Sequence, residues 1–212
     1  MRREDALREL ARRKLQRNAF EEMRQQLLAE QYDRQQAFAM DPSRRKAVLG
    51  TRRAGKTSMW VRQCTAVALE TPRCLVRIWA ETRLRAKQYL WQEFKWLIAR
   101  QKIELSGPPN ETELSIRFAN GSEIRLVGAD KEGEVQKKRG EKTQMEVVIE
   151  AQRFGGLLRT IVDDVVGPSL FDTKGTLCLE GTPGTICSGL WYDITTGKAP
   201  GWSNHTLSLI HI

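Results

Sequence analysis

Residues 50 to 57 are of the types, and at the spacing, needed to hold a polyphosphate. They read Gly50-Thr51-Arg52-Arg53-Ala54-Gly55-Lys56-Thr57 and satisfy G-x-x-x-x-G-K-[ST] at every defined position. Glycines at 50 and 55 let the backbone wrap closely enough for its N–H groups to face phosphate oxygens. Lys56 brings a point charge to the β- and γ-phosphates, and the Thr57 hydroxyl is a ligand for Mg²⁺. This stretch predicts that residues 50–57 bind a nucleotide with Mg²⁺. Hydrolysis also needs carboxylates that order the metal's shell and orient the attacking water. The place to look is the end of a second apolar strand, and Val147-Val148-Ile149 runs there into Glu150.

A phosphate loop must be delivered by a strand and followed by a helix, whose positive dipole end faces the anion. Residues 46–49 read as that strand, and helix-like sequence follows to about residue 70, where Thr71-Pro72 stops it. Further strands are expected at 74–80, 146–149 and 176–179, with helices at 83–99 and 157–166. Two short strands, 113–118 and 123–127, flank Asn120-Gly121, a strong hairpin signal. The polar, charged stretch 129–140 is expected to be a mobile loop. Near the N-terminus, Leu7, Leu10, Ala11 and Leu15, then Ala19, Met23 and Leu27, recur at helical spacing, which predicts an amphipathic helix from residue 2 to about 29. Strands alternating with helices imply an α/β fold with a largely parallel sheet.

Composition narrows the function classes. The 212 residues carry 35 Lys and Arg against 26 Asp and Glu, a net charge of +9. That balance favours polyanionic partners. No stretch approaches the ~18 consecutive apolar residues that a membrane span needs. The two histidines, His205 and His211, are both near the end of the chain, which argues against a histidine metal cluster or a Ser-His-Asp triad. Cys64, Cys74, Cys178 and Cys187 form no C-x-x-C pair, and a reducing compartment is the simple inference. Trp79, Trp91 and Trp96 are expected in the core rather than as base-stacking platforms.

From residue 35 to 208 the chain resembles the ATPase domain of the large terminase subunit of tailed bacteriophages, the motor that pumps DNA into the capsid. Several short segments carry the resemblance in the family's order: Gln35 ahead of the loop, Arg52-Arg53 within it, Ala80-Glu81-Thr82-Arg83, the pair Arg139-Gly140, Glu150-Ala151-Gln152, and Gly181-Thr182-Pro183-Gly184. The resemblance implies a P-loop NTPase fold of the RecA-like type, with flanking helices, a β-hairpin insertion and the N-terminal amphipathic helix. It implies that Gln35 reads adenine and that Arg52 stabilises charge on the γ-phosphate. Arg139 would be an inter-subunit arginine finger, Glu150 the catalytic carboxylate, and Thr182 a sensor of the γ-phosphate. It further implies double-stranded DNA, the portal protein and the small terminase subunit as partners, a homo-oligomeric ring that is pentameric during packaging, and a place in the host cell cytoplasm.

Two departures from the family pattern stand out. The family's acidic strand ends in Asp-Glu-Ala-Gln, whereas this one reads Ile149-Glu150-Ala151-Gln152. Glu150 takes the catalytic position if the two are aligned without a gap, and slides towards the magnesium role if a residue has been deleted. Either way, impaired hydrolysis is expected, because an apolar side chain cannot hold hydrated Mg²⁺. The second departure is the missing acidic nuclease motif. The expected organisation is a helical segment at 1–34, the ATPase domain at 35–208 and a truncated or non-native tail at 209–212. Two alternatives stay open beside the packaging motor: a nucleotide-binding regulator with impaired hydrolysis, and a superfamily 2 helicase-like ATPase.

Overall fold

The computed structural model describes residues 3–130, 132–184 and 187–208. Strands β1 (Arg45–Gly50), β2 (Leu75–Ala80), β3 (Ser115–Arg117), β4 (Glu123–Gly128), β5 (Met145–Val148), β6 (Thr176–Gly181) and β7 (Ser203–Leu207) form one sheet. Their order is β3-β4-β2-β5-β6-β1-β7. Neighbours are parallel except for the antiparallel hairpin β3–β4. Strand β6 therefore lies between the phosphate-loop strand and the acidic strand, and all three end at the same edge. In open parallel sheets that edge is where ligands bind.

Helices cover both faces, so the central strands are apolar on both sides. Alternation sends successive side chains into two separate cores. Val48, Ile78, Val147, Ile149 and Cys178 enter one, packed with Trp60, Cys64 and Phe94. Ala47, Trp79, Val148, Leu177 and Leu179 enter the other, with Ile161, Val165 and Leu170. Each large apolar side chain so buried contributes about 1.5–3 kcal/mol. The first core is roofed by α1 (Arg3–Ala29), α2 (Asp33–Met40) and α3 (Lys56–Glu70). Helix α3 ends at Thr71 as expected, and the β3–β4 turn caps it: Asn120 Nδ2 and Ser122 Oγ both donate to the Ala68 carbonyl, at 2.8 and 2.6 Å.

Several expectations need correction. Residues 129–140 are not a free loop. Helix α6 (Glu132–Gln136) forms there with Val135 buried, and the backbone beyond it is tied down by Arg77. Charge misled because the charged side chains do stay largely exposed, whereas one buried valine and one backbone carbonyl tie the segment down. The helix expected at 83–99 is α4 (Arg83–Ala86) and α5 (Gln92–Arg100) joined by a π turn, Lys87–Trp91. The helix at 157–166 is largely π, Thr160–Val166, between α7 (Leu157–Arg159) and α8 (Gly167–Phe171). Trp79 and Trp91 are buried, but Trp96 is 54% exposed, with Arg100 stacked over its ring. In the N-terminal helix Ala19 is exposed and Leu27 is buried, and the side chains of Leu7, Leu10, Ala11 and Leu15 lie outside the described residues. Leu207 belongs to β7, paired with Gly50 and buried, and the tail expected at 209–212 lies outside the described residues. Among the described residues no helix is long and apolar enough to cross a membrane.

Candidate nucleotide site

Strand β1 runs straight into the phosphate loop, and Gly55, at φ 69°, turns it into α3. That left-handed conformation suits glycine. Gly50 is needed for a different reason: a Cβ there would sit 2.6 Å from the Lys56 side chain, which lies across it. Two residues from α2 and the turn before it brace the loop from behind. The Tyr32 hydroxyl donates to the Ala54 carbonyl at 3.0 Å, and Gln35 Nε2 donates to the Gly55 carbonyl at 3.1 Å. Gln35 is thus buried against the loop. Tyr32 carried no motif that would have singled it out.

The loop opens on a cleft of about 450 Å³. Arg52, Arg53, Ala54, Gly55, Lys56 and Thr57 line it, with Tyr89, Ile149, Glu150 and Glu180 opposite. Lys56 Nζ donates to the carbonyls of Gly50 (3.0 Å) and Thr51 (3.3 Å), and lies 3.3 Å from Glu180 Oε1. Glu180 is the site residue that sequence reasoning missed. It is 3% exposed, and burial pushes its carboxyl up to about 7 against the pull of Lys56, with Glu150 adding to the rise. Despite the ion-pair distance to Lys56, Glu180 Oε1 receives no hydrogen bond. The available signal was a charged residue inside Leu177-Cys178-Leu179-Glu180-Gly181, an otherwise apolar strand of a sheet covered on both faces.

Glu150 and Thr182 are brought together at the tips of neighbouring strands. Glu150 adopts φ 54°, turning the chain sharply after β5. The Thr182 hydroxyl donates to Glu150 Oε2 at 3.2 Å. Gln152 joins both: its Nε2 donates to Glu150 Oε2 at 2.5 Å and sits 3.1 Å from Thr182 Oγ1, while its Oε1 accepts from the Thr182 N–H at 3.3 Å. Gly181 makes room for this triad, since a Cβ there would meet Gln152 Oε1 at 2.3 Å.

Arg139 is not among the residues lining this cleft. It is half exposed, 3.6 Å from Asp164 in a weak surface pair. The backbone that carries it is fixed nonetheless. Arg77, fully buried, donates to the Lys138 carbonyl (3.0 Å), to Glu141 (2.7 Å) and to Glu146 (2.9 Å), and the Trp79 indole also donates to Glu146 (2.7 Å).

The residues present fit a hydrated Mg²⁺ held mainly by a nucleotide. Thr57 is exposed at the start of α3, and Glu180 offers a buried oxygen without a hydrogen bond. Among the described residues no group of three His, Cys, Asp or Glu could hold a metal by itself. Phosphates and water would have to complete the shell.

Solved structures with similar folds decide what this arrangement is like. The ATPase domain of the Thermus phage P74-26 large terminase superposes with a TM-score of 0.70 at 16% identity, covering 86% of this chain and 83% of that one. The chain has the large terminase ATPase fold. The large terminase of another thermophilic bacteriophage, in complex with ADP, matches at TM-score 0.69 and 13% identity over 85% of this chain and 46% of that one. The bacteriophage HK97 large terminase gives TM-score 0.61 and 14% identity over 76% and 35%. The terminase fold is thus shared with chains of very different sequence, and this chain spans less than half of the last two proteins. No protein-family model matches the chain, and no curated protein sequence does.

Proposed function

We propose that this chain is the ATPase domain of a phage large terminase subunit, which binds ATP with Mg²⁺ and couples its hydrolysis to the movement of double-stranded DNA into a procapsid. The observation that carries the reading is the linked triad Glu150–Gln152–Thr182, whose Glu150 faces a complete phosphate loop across the cleft, on the large terminase ATPase fold. In this reading the loop amides, Lys56 and Arg52 bind the triphosphate, and Arg53 adds charge at the rim. Bound Mg²⁺ supplies charge neutralisation at the β- and γ-phosphates. Glu150 orients the attacking water and takes up its proton. The Thr182 hydroxyl, bonded to the same carboxylate, registers departure of the γ-phosphate and relays it along β6. Gln35 holds the loop from the adenine side. Arg139, exposed on a braced backbone and off its own cleft, would act on a neighbouring subunit of a ring, pentameric during packaging. The portal protein, the small terminase subunit and a host cytoplasmic setting follow from the same reading.

Steady-state ATPase assays with and without duplex DNA test it. Turnover stimulated by duplex DNA, and lost in Lys56→Ala with unchanged circular dichroism, is the expected result. Equal turnover in wild type and Lys56→Ala would falsify the reading. Ile149 at the end of β5 favours a second one, in which the chain binds nucleotide as a regulator and hydrolyses it poorly; tight binding without DNA-stimulated turnover selects it.

A further inference from the structure

The acidic strand leaves the site short of one carboxylate. Ile149 lines the cleft, but its side chain is apolar and packs with the first core, so it cannot serve a metal. Parallel pairing of β5 with β6 sets Val148 beside Leu179, and continuing the register by one residue sets Ile149 beside Glu180. Side-chain alternation puts those two on the same face of the sheet. Pairing of β1 with β6 confirms that face independently, because Glu180 lies beside Val48, which enters the same core as Ile149. Glu180 is one strand closer to the phosphate loop than Ile149, and its Oε1 already lies 3.3 Å from Lys56 Nζ.

We propose that Glu180, from the strand between the phosphate loop and the acidic strand, supplies the carboxylate of the magnesium shell that Ile149 cannot. Its Oε1 is buried, receives no hydrogen bond and lines the same cleft as Thr57 and Glu150. A carboxylate in that state needs a cation. Lys56 provides one when no nucleotide is bound. A triphosphate claims the Lys56 charge, and a hydrated cation between Thr57 and the phosphates is then the counterion within reach. Glu150 is left free for water, held by Gln152 and Thr182 rather than by the metal. This also decides the open register: no residue is deleted, and the two carboxylate roles are divided between adjacent strands.

The inference rests on the nucleotide-site reading above, and its test separates the two. Wild-type protein is saturated with a non-hydrolysable ATP analogue in EDTA, then titrated with Mg²⁺ and, for an electron paramagnetic resonance signal, with Mn²⁺. Failure of wild type to bind the analogue at all defeats the nucleotide site itself. Glu180→Gln is expected to bind the metal-free analogue at least as well as wild type, since a negative charge has gone. Its affinity for Mg²⁺ in the complex should fall by about 10–100-fold, the usual cost of removing an outer-shell metal partner. Glu180→Asp should recover part of that loss. Unchanged metal affinity in Glu180→Gln overturns the proposal. So does an equal loss of metal-free binding, which would make Glu180 only a prop for Lys56. If Glu180→Gln does not fold, the same readout on Glu180→Asp decides, with wild-type metal affinity and Mn²⁺ signal counting against.

Discussion

The buried pair Arg77–Glu146 should be worth more to the Arg139 segment than to the sheet it sits in. Both side chains are completely buried on adjacent strands, with Arg77 also reaching Lys138 and Glu141 across the crossover to β5. Arg77→Met leaves the Glu146 carboxylate buried and without its cation, a change that typically costs about 3–5 kcal/mol. That is a large part of the ~5–15 kcal/mol available to a domain. Adding Glu146→Gln removes the stranded charge while keeping an acceptor for the Trp79 indole, so the double variant should recover at least about 2 kcal/mol. Neither variant restores the bonds to the Lys138 carbonyl and Glu141. Urea unfolding measures the first effect, and hydrogen exchange at residues 137–142 the second. We expect exchange there to accelerate in both variants, including the stability-rescued one. A single-variant cost below about 1 kcal/mol, or loop exchange that merely tracks global stability, would refute the reasoning.

Gln152→Leu should lower turnover by about tenfold or more with little change in nucleotide affinity, because it removes the amide that braces both Glu150 and Thr182, leaving only their direct hydrogen bond, without touching the loop; a parallel drop in affinity would show that the triad shapes the pocket instead. For pH, the Glu180 carboxyl is raised from 4.5 to about 7 by burial, so the folded chain holds that proton more tightly than the unfolded chain does. Stability of the nucleotide-free protein should therefore be greatest below pH 4.5 as far as this group is concerned, and fall by about 3 kcal/mol as pH rises through 7. Urea midpoints from about pH 5 to 8 should show that slope in wild type and lose it in Glu180→Gln, and identical slopes would count against it.

The parts legible in the sequence are those written in contiguous residues. The phosphate loop, its strand and helix, the Asn120-Gly121 hairpin and the apolar central strands each carry a local signal, and each lies where that signal puts it. What could not be read depends on pairing across the sheet. Arg77 and Glu146 are 69 residues apart, and nothing local in either segment announces the other. The stretch 129–140 looked solvated because nothing local announces buried Arg77, which holds the Lys138 carbonyl and, just beyond the stretch, Glu141. Glu180 went unnoticed for the same reason. Its meaning comes from the register of β5 against β6, which only the fold supplies.

That register also explains how such a division of roles can arise with both side chains on one face of the sheet. Adjacent parallel strands present equivalent positions on one face, so an apolar residue and a carboxylate can exchange strands while the core keeps the same volume. Ile149 fills space beneath α3 that an aspartate would leave poorly packed and polar, at a penalty of several kcal/mol if unpaired. Glu180 stands one strand nearer the phosphate loop, where Lys56 offsets part of the cost of its burial. The acidic site is therefore better described by which strand tips face the loop than by which residues follow one another in the chain.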